Sequence, residues 1–290
     1  MHVLVLASQK GGSGKTTLSG HLAVEAVSAG IGPVALIDTD PQGSLSHWWN
    51  ARQSPTPHFA KVGLFELGEA LAQLRNSGIR LAVIDTPPAI TASISQVVAF
   101  ADLVAVPTRP SPHDLRAVGA TVDIAERHGK PVIFVINAAT PRARITGEAA
   151  VALSQHGTVA PVTLHHRVDF AASMVDGRTV GEVVAKSQSA KEVRDLWLYI
   201  QDRLSRLTGD PKLLPEIRPV HFAIDALSPS DEIRPPPVLV PERAEETSSI
   251  PPPLLPERRF VGERRTSLAP FGGADRRAHP FGRRASDRPQ

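Results

Sequence analysis

Six short apolar runs punctuate the first 164 residues: VLVLA (3–7), PVALID (33–38), RLAVID (80–85), DLVAVP (102–107), PVIFVIN (131–137) and APVTL (160–164). Each is nearly continuous in apolar side chains where a half-exposed strand would alternate. That pattern predicts strands covered on both faces. Between the runs, apolar positions fall three and four apart, predicting helices over 16–29, 64–77, 115–127 and 146–155. A last helix is predicted over 189–207, with Val193, Leu196, Trp197, Ile200, Leu204 and Leu207 on one face. Strands alternating with helices predict an α/β fold: a mostly parallel sheet flanked by helices on both faces. There is no internal repeat.

The periodicity stops near Gly209-Asp210-Pro211. Of the 27 prolines, 15 lie beyond residue 209. Such a segment cannot bury enough apolar surface to offset the entropy of ordering it. Charge divides the segment further. Residues 210–256 carry four basic against eight acidic residues, a net of −4, and residues 257–290 carry nine arginines against four acids, a net of +5. The expected organisation is a folded domain over 1–209, an acidic Pro-rich disordered linker over 210–256 and an Arg-rich disordered tail over 257–290. Four arginine pairs and two PFG triplets in that tail suit weak contact with nucleic acid or an acidic surface, or a solubilising role.

Composition narrows the chemistry. The chain of 290 residues has no cysteine, which excludes disulfides, thiolate metal sites and Cys-ligated iron–sulfur clusters. Met1-His2 leads into the first strand with no basic flank or cleavage site, and no apolar stretch approaches a membrane span, so the expectation is a soluble cytoplasmic protein. The eleven histidines show no metal-binding spacing. Trp48-Trp49 falls on an expected helix and reads as packing.

The first run is followed by KGGSGKTTLSGHLA (10–23). Glycines let a loop curl so that successive N–H groups face phosphate oxygens, and the helix that follows adds its dipole. Gly11, Gly12, Ser13, Gly14, Lys15, Thr16 and Thr17 are the expected nucleotide-binding residues. Lys15 would neutralise the β- and γ-phosphates, and the Thr16 hydroxyl would face Mg²⁺. The usual loop has a glycine where this chain has Gln9, and it carries an additional lysine, Lys10, ahead of the glycines.

KGGSGKTT resembles the deviant Walker A motif of the ParA/MinD family of P-loop ATPases. ALIDTDPQGS (35–44), LAVIDTPP (81–88), VAVPTRPSPHDLRAV (104–118) and RVDFAASMVDGRTV (167–180) resemble further motifs of that family. The overall match is to the small ParA-type partition ATPases. The resemblance implies a P-loop NTPase that uses ATP and Mg²⁺ and forms a homodimer with ATP held between two chains. It implies that Lys10 reaches the nucleotide of the partner chain, and that Asp40 orients the attacking water. Asp38 is implied to help hold the Mg²⁺ shell and its loop, Asp85 to be the Walker B acid, and Thr86-Pro87-Pro88 to be the γ-phosphate switch. Asn137 is implied to contact adenine, although an asparagine ending a strand also suits a turn.

Asp38, Asp40 and Asp85 all fall at the ends of expected strands, where the ligand crevice of an open α/β sheet lies. Arg167, Arg178, Lys186, Lys191 and Arg194 fall where partition ATPases bind DNA without sequence preference. A solvated charged face is the alternative.

Three functions compete. The first is a ParA-like, nucleoid-associated positioning ATPase whose hydrolysis is stimulated by a ParB-like or other adaptor. The second is a MinD-like membrane-associated ATPase, for which 189–207 would have to be a membrane helix. Its mixed charges and the 80 or so residues after it favour docking on the sheet, with no stable membrane insertion. The third is a metabolic or redox relative. The cysteine-dependent members are excluded, a tyrosine kinase would need more than Tyr199, and a dethiobiotin-synthetase-like ligase would need neither Asp40 nor Lys10.

Overall fold

A computed structural model of the chain describes residues 1–88 and 91–210. The acidic linker and the Arg-rich tail expected beyond residue 210 lie outside the described residues. Seven described strands form one sheet: β1 (His2–Leu6), β2 (Val34–Asp38), β3 (His58–Lys61), β4 (Leu81–Asp85), β5 (Leu103–Thr108), β6 (Val132–Ile136) and β7 (Thr158–Val159). Their order is β3-β2-β4-β1-β5-β6-β7, and every neighbouring pair is parallel.

The continuous apolar runs are explained by two cores, one on each face. Leu4, Leu6, Leu36, Leu81, Val83 and Leu103 point to one face, where they meet Leu18 and Leu22 of α1 (Lys15–Ser28) and Trp48 of α2 (Ser44–Asn50). Leu196, Trp197, Ile200 and Leu204 of α9 (Gln188–Thr208) join the same core. The intervening Val3, Val5, Ile37, Ala82, Ile84 and Val104 point the other way. There they pack on α3 (Leu67–Asn76), α4 (Thr91–Val98), α5 (Pro112–Arg127) and Leu153 of α6 (Arg144–Ser154). Successive strand residues alternate faces, so a strand covered on both sides has no polar position to spare.

The last helix docks through most of its expected apolar face: Val193, Leu196, Trp197, Ile200 and Leu204 are buried, whereas Leu207, near the helix end, is exposed. Leu196, Ile200 and Leu204 are fully buried beside Trp197, and each such aliphatic side chain contributes about 1.5–3 kcal/mol relative to exposure. Among the described residues no helix is long and apolar enough to cross a membrane.

Some elements depart from expectation. Residues 160–164 are not a strand. Pairing with β6 occurs at β7, two residues earlier, and Pro161 has no N–H to continue the ladder. The 64–77 segment opens with a 3₁₀ turn (Leu64–Glu66) before α3. Three short helices, α4, α7 (Val168–Met174) and α8 (Val180–Val183), and the edge strand β3 were not anticipated.

The register sets the crevice. Asp38 pairs with Asp85, and Leu6 pairs with Asp85 from the other side. The carboxyl ends of β2, β4, β1 and β5 therefore finish side by side. That is where an open parallel sheet holds its ligand.

Candidate nucleotide-binding site

A cleft of about 740 Å³ opens at those strand ends. Its lining includes Gly11, Gly12, Gly14, Lys15, Thr16, Thr17, Asp40 and Thr86, so the expected phosphate loop, catalytic aspartate and switch threonine meet in one cleft. The loop is shaped by two left-handed glycines, Gly12 at φ +74° and Gly14 at φ +100°. A Cβ on Gly14 would lie only 2.1 Å from Asn137 Nδ2. We expect Gly14→Ala to weaken binding of a fluorescent ATP analogue at least about tenfold, because the left-handed backbone alone costs a side chain ~1–2 kcal/mol. Anisotropy titration measures this, and wild-type affinity would mean the loop opens freely.

Lys15 is buried, 6% exposed, and its ammonium donates to the Ser8 carbonyl at 3.1 Å and the Lys10 carbonyl at 3.3 Å. Burial lowers its pKa from the usual lysine value, while the charges of Asp85 and Asp40 oppose that shift. The Ser13 hydroxyl is buried and has no hydrogen-bond partner. A loop of inward-curling glycines, a desolvated lysine and an orphaned hydroxyl fit a polyphosphate. Lys10 is half-exposed, its N–H bonded to the Ser8 hydroxyl at 3.3 Å.

Asp85 is almost wholly buried. It accepts from the Thr16 hydroxyl at 2.6 Å and from Ser19 at 3.4 Å. Burial first, aided by the charges of Asp38 and Asp40, pushes its pKa up to about 7, against the opposing Thr16 bond and Lys15 charge. A divalent cation beside the Thr16–Asp85 pair would favour the carboxylate and release the proton. Among the described residues no group of three or more His, Asp or Glu could hold a metal by itself. Few protein ligands, completed by phosphate oxygens and water, suit Mg²⁺.

Asp38 is fully buried. One oxygen accepts from the Asp40 N–H at 3.0 Å, and the other accepts from the Ser46 N–H at 3.0 Å and the Ser46 hydroxyl at 2.7 Å. It therefore holds the loop and the first turn of α2, one part of its expected role. Asp40 faces the cleft, and one of its oxygens accepts from the Gln42 N–H at 3.0 Å. Thr86 donates to the Leu6 carbonyl at 2.8 Å, which ties the segment after β4, the expected switch, to the strand before the phosphate loop. Asn137 donates to the Ser13 carbonyl at 2.7 Å, so its amide braces the loop from below.

The segment between α7 and α8 is fastened to the site from two sides. Trp48 Nε1 donates to the Arg178 carbonyl at 3.2 Å, and Arg52 donates to the Gly177 carbonyl at 2.8 Å and to both oxygens of Glu182. A Cβ on Gly177, at φ +77°, would lie 2.3 Å from the Arg52 nitrogen. On the other side, His21 of α1 accepts from the Val180 N–H at 3.2 Å through Nε2, and its Nδ1 bonds the Thr17 carbonyl at 2.8 Å. Burial holds the His21 pKa down to about 4, so the ring is neutral. Met174 and Val175, just before this turn, line the cleft.

The expected DNA-facing residues separate. Arg167 is not free for phosphates: it forms a two-pronged bond to Glu192 at 2.6 and 2.8 Å, and Glu192 is buried and shared with His165. Breaking a fully buried pair costs about 3–5 kcal/mol, less where one partner is partly exposed. Lys191 pairs with Asp195 one helical turn away on the surface, a contact worth roughly 0.3–0.5 kcal/mol that a phosphate could replace. Arg178 bonds exposed Asp176 at 2.6 Å, Arg194 reaches Glu25 at 3.6 Å, and Lys186 is exposed.

Residues not anticipated also line the cleft, among them Gln42, His47, Trp48 and Arg109. TRPSP (108–112) lies within the family-like stretch 104–118, yet nothing in it marks Arg109 as facing the phosphate loop.

Comparison with known proteins bears on the whole domain. Residues 4–190 match the CobQ/CobB/MinD/ParA nucleotide-binding domain. The chain is 30% identical over 208 residues to maintenance of carboxysome distribution protein A of Halothiobacillus neapolitanus, covering 65% of this chain and 91% of that protein. It is 34% identical over 124 residues to protein ParA of Rhizobium radiobacter, 42% of this chain and 53% of that one. In fold it is similar to the cell division ATPase MinD of Pyrococcus furiosus, with TM-score 0.58 and 17% identity over 70% of this chain and 99% of the other.

Proposed function

The chain belongs to the CobQ/CobB/MinD/ParA nucleotide-binding family, and within it we propose that the protein is a ParA-type positioning ATPase. The observation that carries this reading is the convergence of Lys15, the Thr16–Asp85 pair and Asp40 on one cleft, behind a loop that also bears Lys10. The similarity to proteins named for carboxysome distribution and for ParA supports a role in placing a large cargo.

ATP binds with its β- and γ-phosphates in the glycine loop, against the Lys15 ammonium and the orphaned Ser13 hydroxyl. The Thr16 hydroxyl, with Asp85 behind it, would hold Mg²⁺, which would supply charge neutralisation at the phosphates. Asp40 orients a water for attack on the γ-phosphorus. The bond from that phosphorus to the bridging oxygen breaks, and ADP and phosphate leave. Two chains enclose two nucleotides, with Lys10 crossing to the partner's, and a ParB-like or other adaptor accelerates hydrolysis. Dimerisation places two basic patches on one rigid body, so ATP switches on sequence-independent DNA binding and nucleoid association. Lys186, Lys191 and Arg178 are the better candidates for phosphate contact, since Arg167 is held by Glu192. A MinD-like membrane attachment through α9 is disfavoured, because the apolar face of α9 is buried against the sheet.

With ATP and Mg²⁺ we expect binding to duplexes of unrelated sequence, and much weaker binding with ADP. Doubling the phosphate contacts should steepen the salt dependence, because each neutralised phosphate releases counterion. Anisotropy titration on two duplexes across a salt series is the test. Absent or nucleotide-independent DNA binding would overturn the ParA-type reading, and liposome binding in its place would favour the membrane alternative.

A further inference from the structure

We propose that Arg109 binds the terminal phosphate of the nucleotide in its own chain's cleft and so distinguishes ATP from ADP. The inference rests on the nucleotide-binding reading above and adds a cation that neither the glycine-loop pattern nor the signature lysine includes.

Arg109 follows β5 directly, and β5 lies beside β1, the strand that runs into the phosphate loop. Its side chain therefore leaves the sheet at the same end, one strand over. A guanidinium nitrogen lies 3.8 Å from where a Cβ on Gly12 would stand, and Arg109 lines the cleft together with Lys15, Thr16 and Asp40.

The backbone around it is stiff. Pro110 restricts Arg109 to extended conformations, and two residues on Ser111 caps α5, accepting from the Asp114 N–H, with Pro112 in the first turn. The strand and the capped helix fix both ends of this crossing, so only the side chain is free to adjust.

Arg109 is exposed, and among the described residues its guanidinium makes no hydrogen bond and no ion pair. Arginines elsewhere near the site are engaged: Arg52 with Glu182, Arg167 with Glu192 and Arg178 with Asp176. A planar cation with unused donors, aimed at a phosphate loop, has the geometry for two-pronged phosphate binding.

The position in the loop selects which phosphate. Lys15 and Thr16 stand at the helix end. Gly11 and Gly12 form the opposite side, where a Cβ on Gly11 would meet Pro88 of the switch segment at 4.0 Å. Arg109 thus shares its side of the cleft with the segment assigned to sensing the γ-phosphate.

The test is calorimetric titration of the full chain, wild type, Arg109→Ala, Arg109→Lys and Lys15→Ala, with a non-hydrolysable ATP analogue and with ADP, each with Mg²⁺. Titrations are run at protein concentrations where the chain is monomeric. Losing charge-assisted bonds to one phosphate should weaken Arg109→Ala for the triphosphate by about ten- to a hundredfold. ADP affinity should stay within about twofold, and Arg109→Lys should recover part of the loss, since an ammonium keeps the charge without the fork. The exposed Arg109 guanidinium makes no hydrogen bond or ion pair among the described residues, so unchanged thermal unfolding is expected. Equal weakening for both nucleotides, or a loss that appears only when dimers form, overturns the assignment. Unchanged affinity in Arg109→Ala, with Lys15→Ala non-binding, overturns it while leaving the nucleotide site standing. A wild type that binds neither nucleotide overturns the site itself.

Discussion

Lys15→Ala will abolish nucleotide binding, with ATP affinity falling by about a hundred- to ten-thousandfold if two charge-assisted bonds to phosphate are lost. The ammonium is almost fully buried and is held at the mouth of the loop by two carbonyls, those of Ser8 and Lys10. Carbonyls give a cation dipoles but no charge, so this lysine sits desolvated and short of negative partners, with Asp85 and Asp40 acting at a distance. A triphosphate supplies what is missing. Alanine leaves a hole at that place, and the neighbouring N–H groups cannot replace a full charge. Equilibrium dialysis with labelled ATP is the measurement, with circular dichroism confirming that the variant folds. Normal ATP binding by Lys15→Ala would remove the phosphate-loop assignment altogether.

Asp40→Ala will behave in the opposite way: ATP affinity near wild type, turnover down by about a hundred- to ten-thousandfold. The carboxylate faces the cleft but bonds no loop residue that cradles phosphate, so the ground state loses little. One complication is structural, since an Asp40 oxygen also caps the Gln42 N–H. Asp40→Asn keeps that acceptor and removes the charge, so it should be nearly as slow as alanine if water orientation is the role. Phosphate-release assays and light scattering, the latter for an accumulated ATP-bound dimer, test both variants. Substantial turnover in Asp40→Asn would assign water activation to another group.

Much of this was legible in the sequence for physical reasons. Strands covered on both faces announce themselves as unbroken apolar runs, which is why β1, β2, β4, β5 and β6 were found within a residue or so. The phosphate loop is a local motif whose geometry follows from its glycines. The edge strand β3 was not found, because HFAK is exposed at both ends and only half-buried between. Residues 160–164 misled for the opposite reason: apolar burial there is met by packing, with Leu164 bonding the Ile136 carbonyl and no regular ladder. Long-range partners were invisible. Nothing in the order of residues brings Arg52 to Glu182, 130 positions away, or Glu192 to Arg167, or Arg109 to Gly12. Those contacts depend on which strands become neighbours, and a single chain's pattern does not state the sheet order.

The fastening of α2 has a mechanical consequence. At its first turn the helix is bonded through Ser46 to Asp38, the last residue of β2, whose other oxygen holds the Asp40 N–H. Just past its other end, Arg52 grips Gly177 and Glu182, and Trp48 holds Arg178 in between. A helix of seven residues is about 10 Å long and does not stretch. It works as a connecting rod with a pin at each end. Were nucleotide hydrolysis to displace the Asp38–Asp40 segment, either the Ser46 bonds would break or the rod would carry the 177–182 turn with it. Gly177 leaves no clearance at the far pin, where the backbones already touch too closely for a methyl group. With so little lost motion, a small shift at one bearing arrives almost undiminished at the other, next to Arg178.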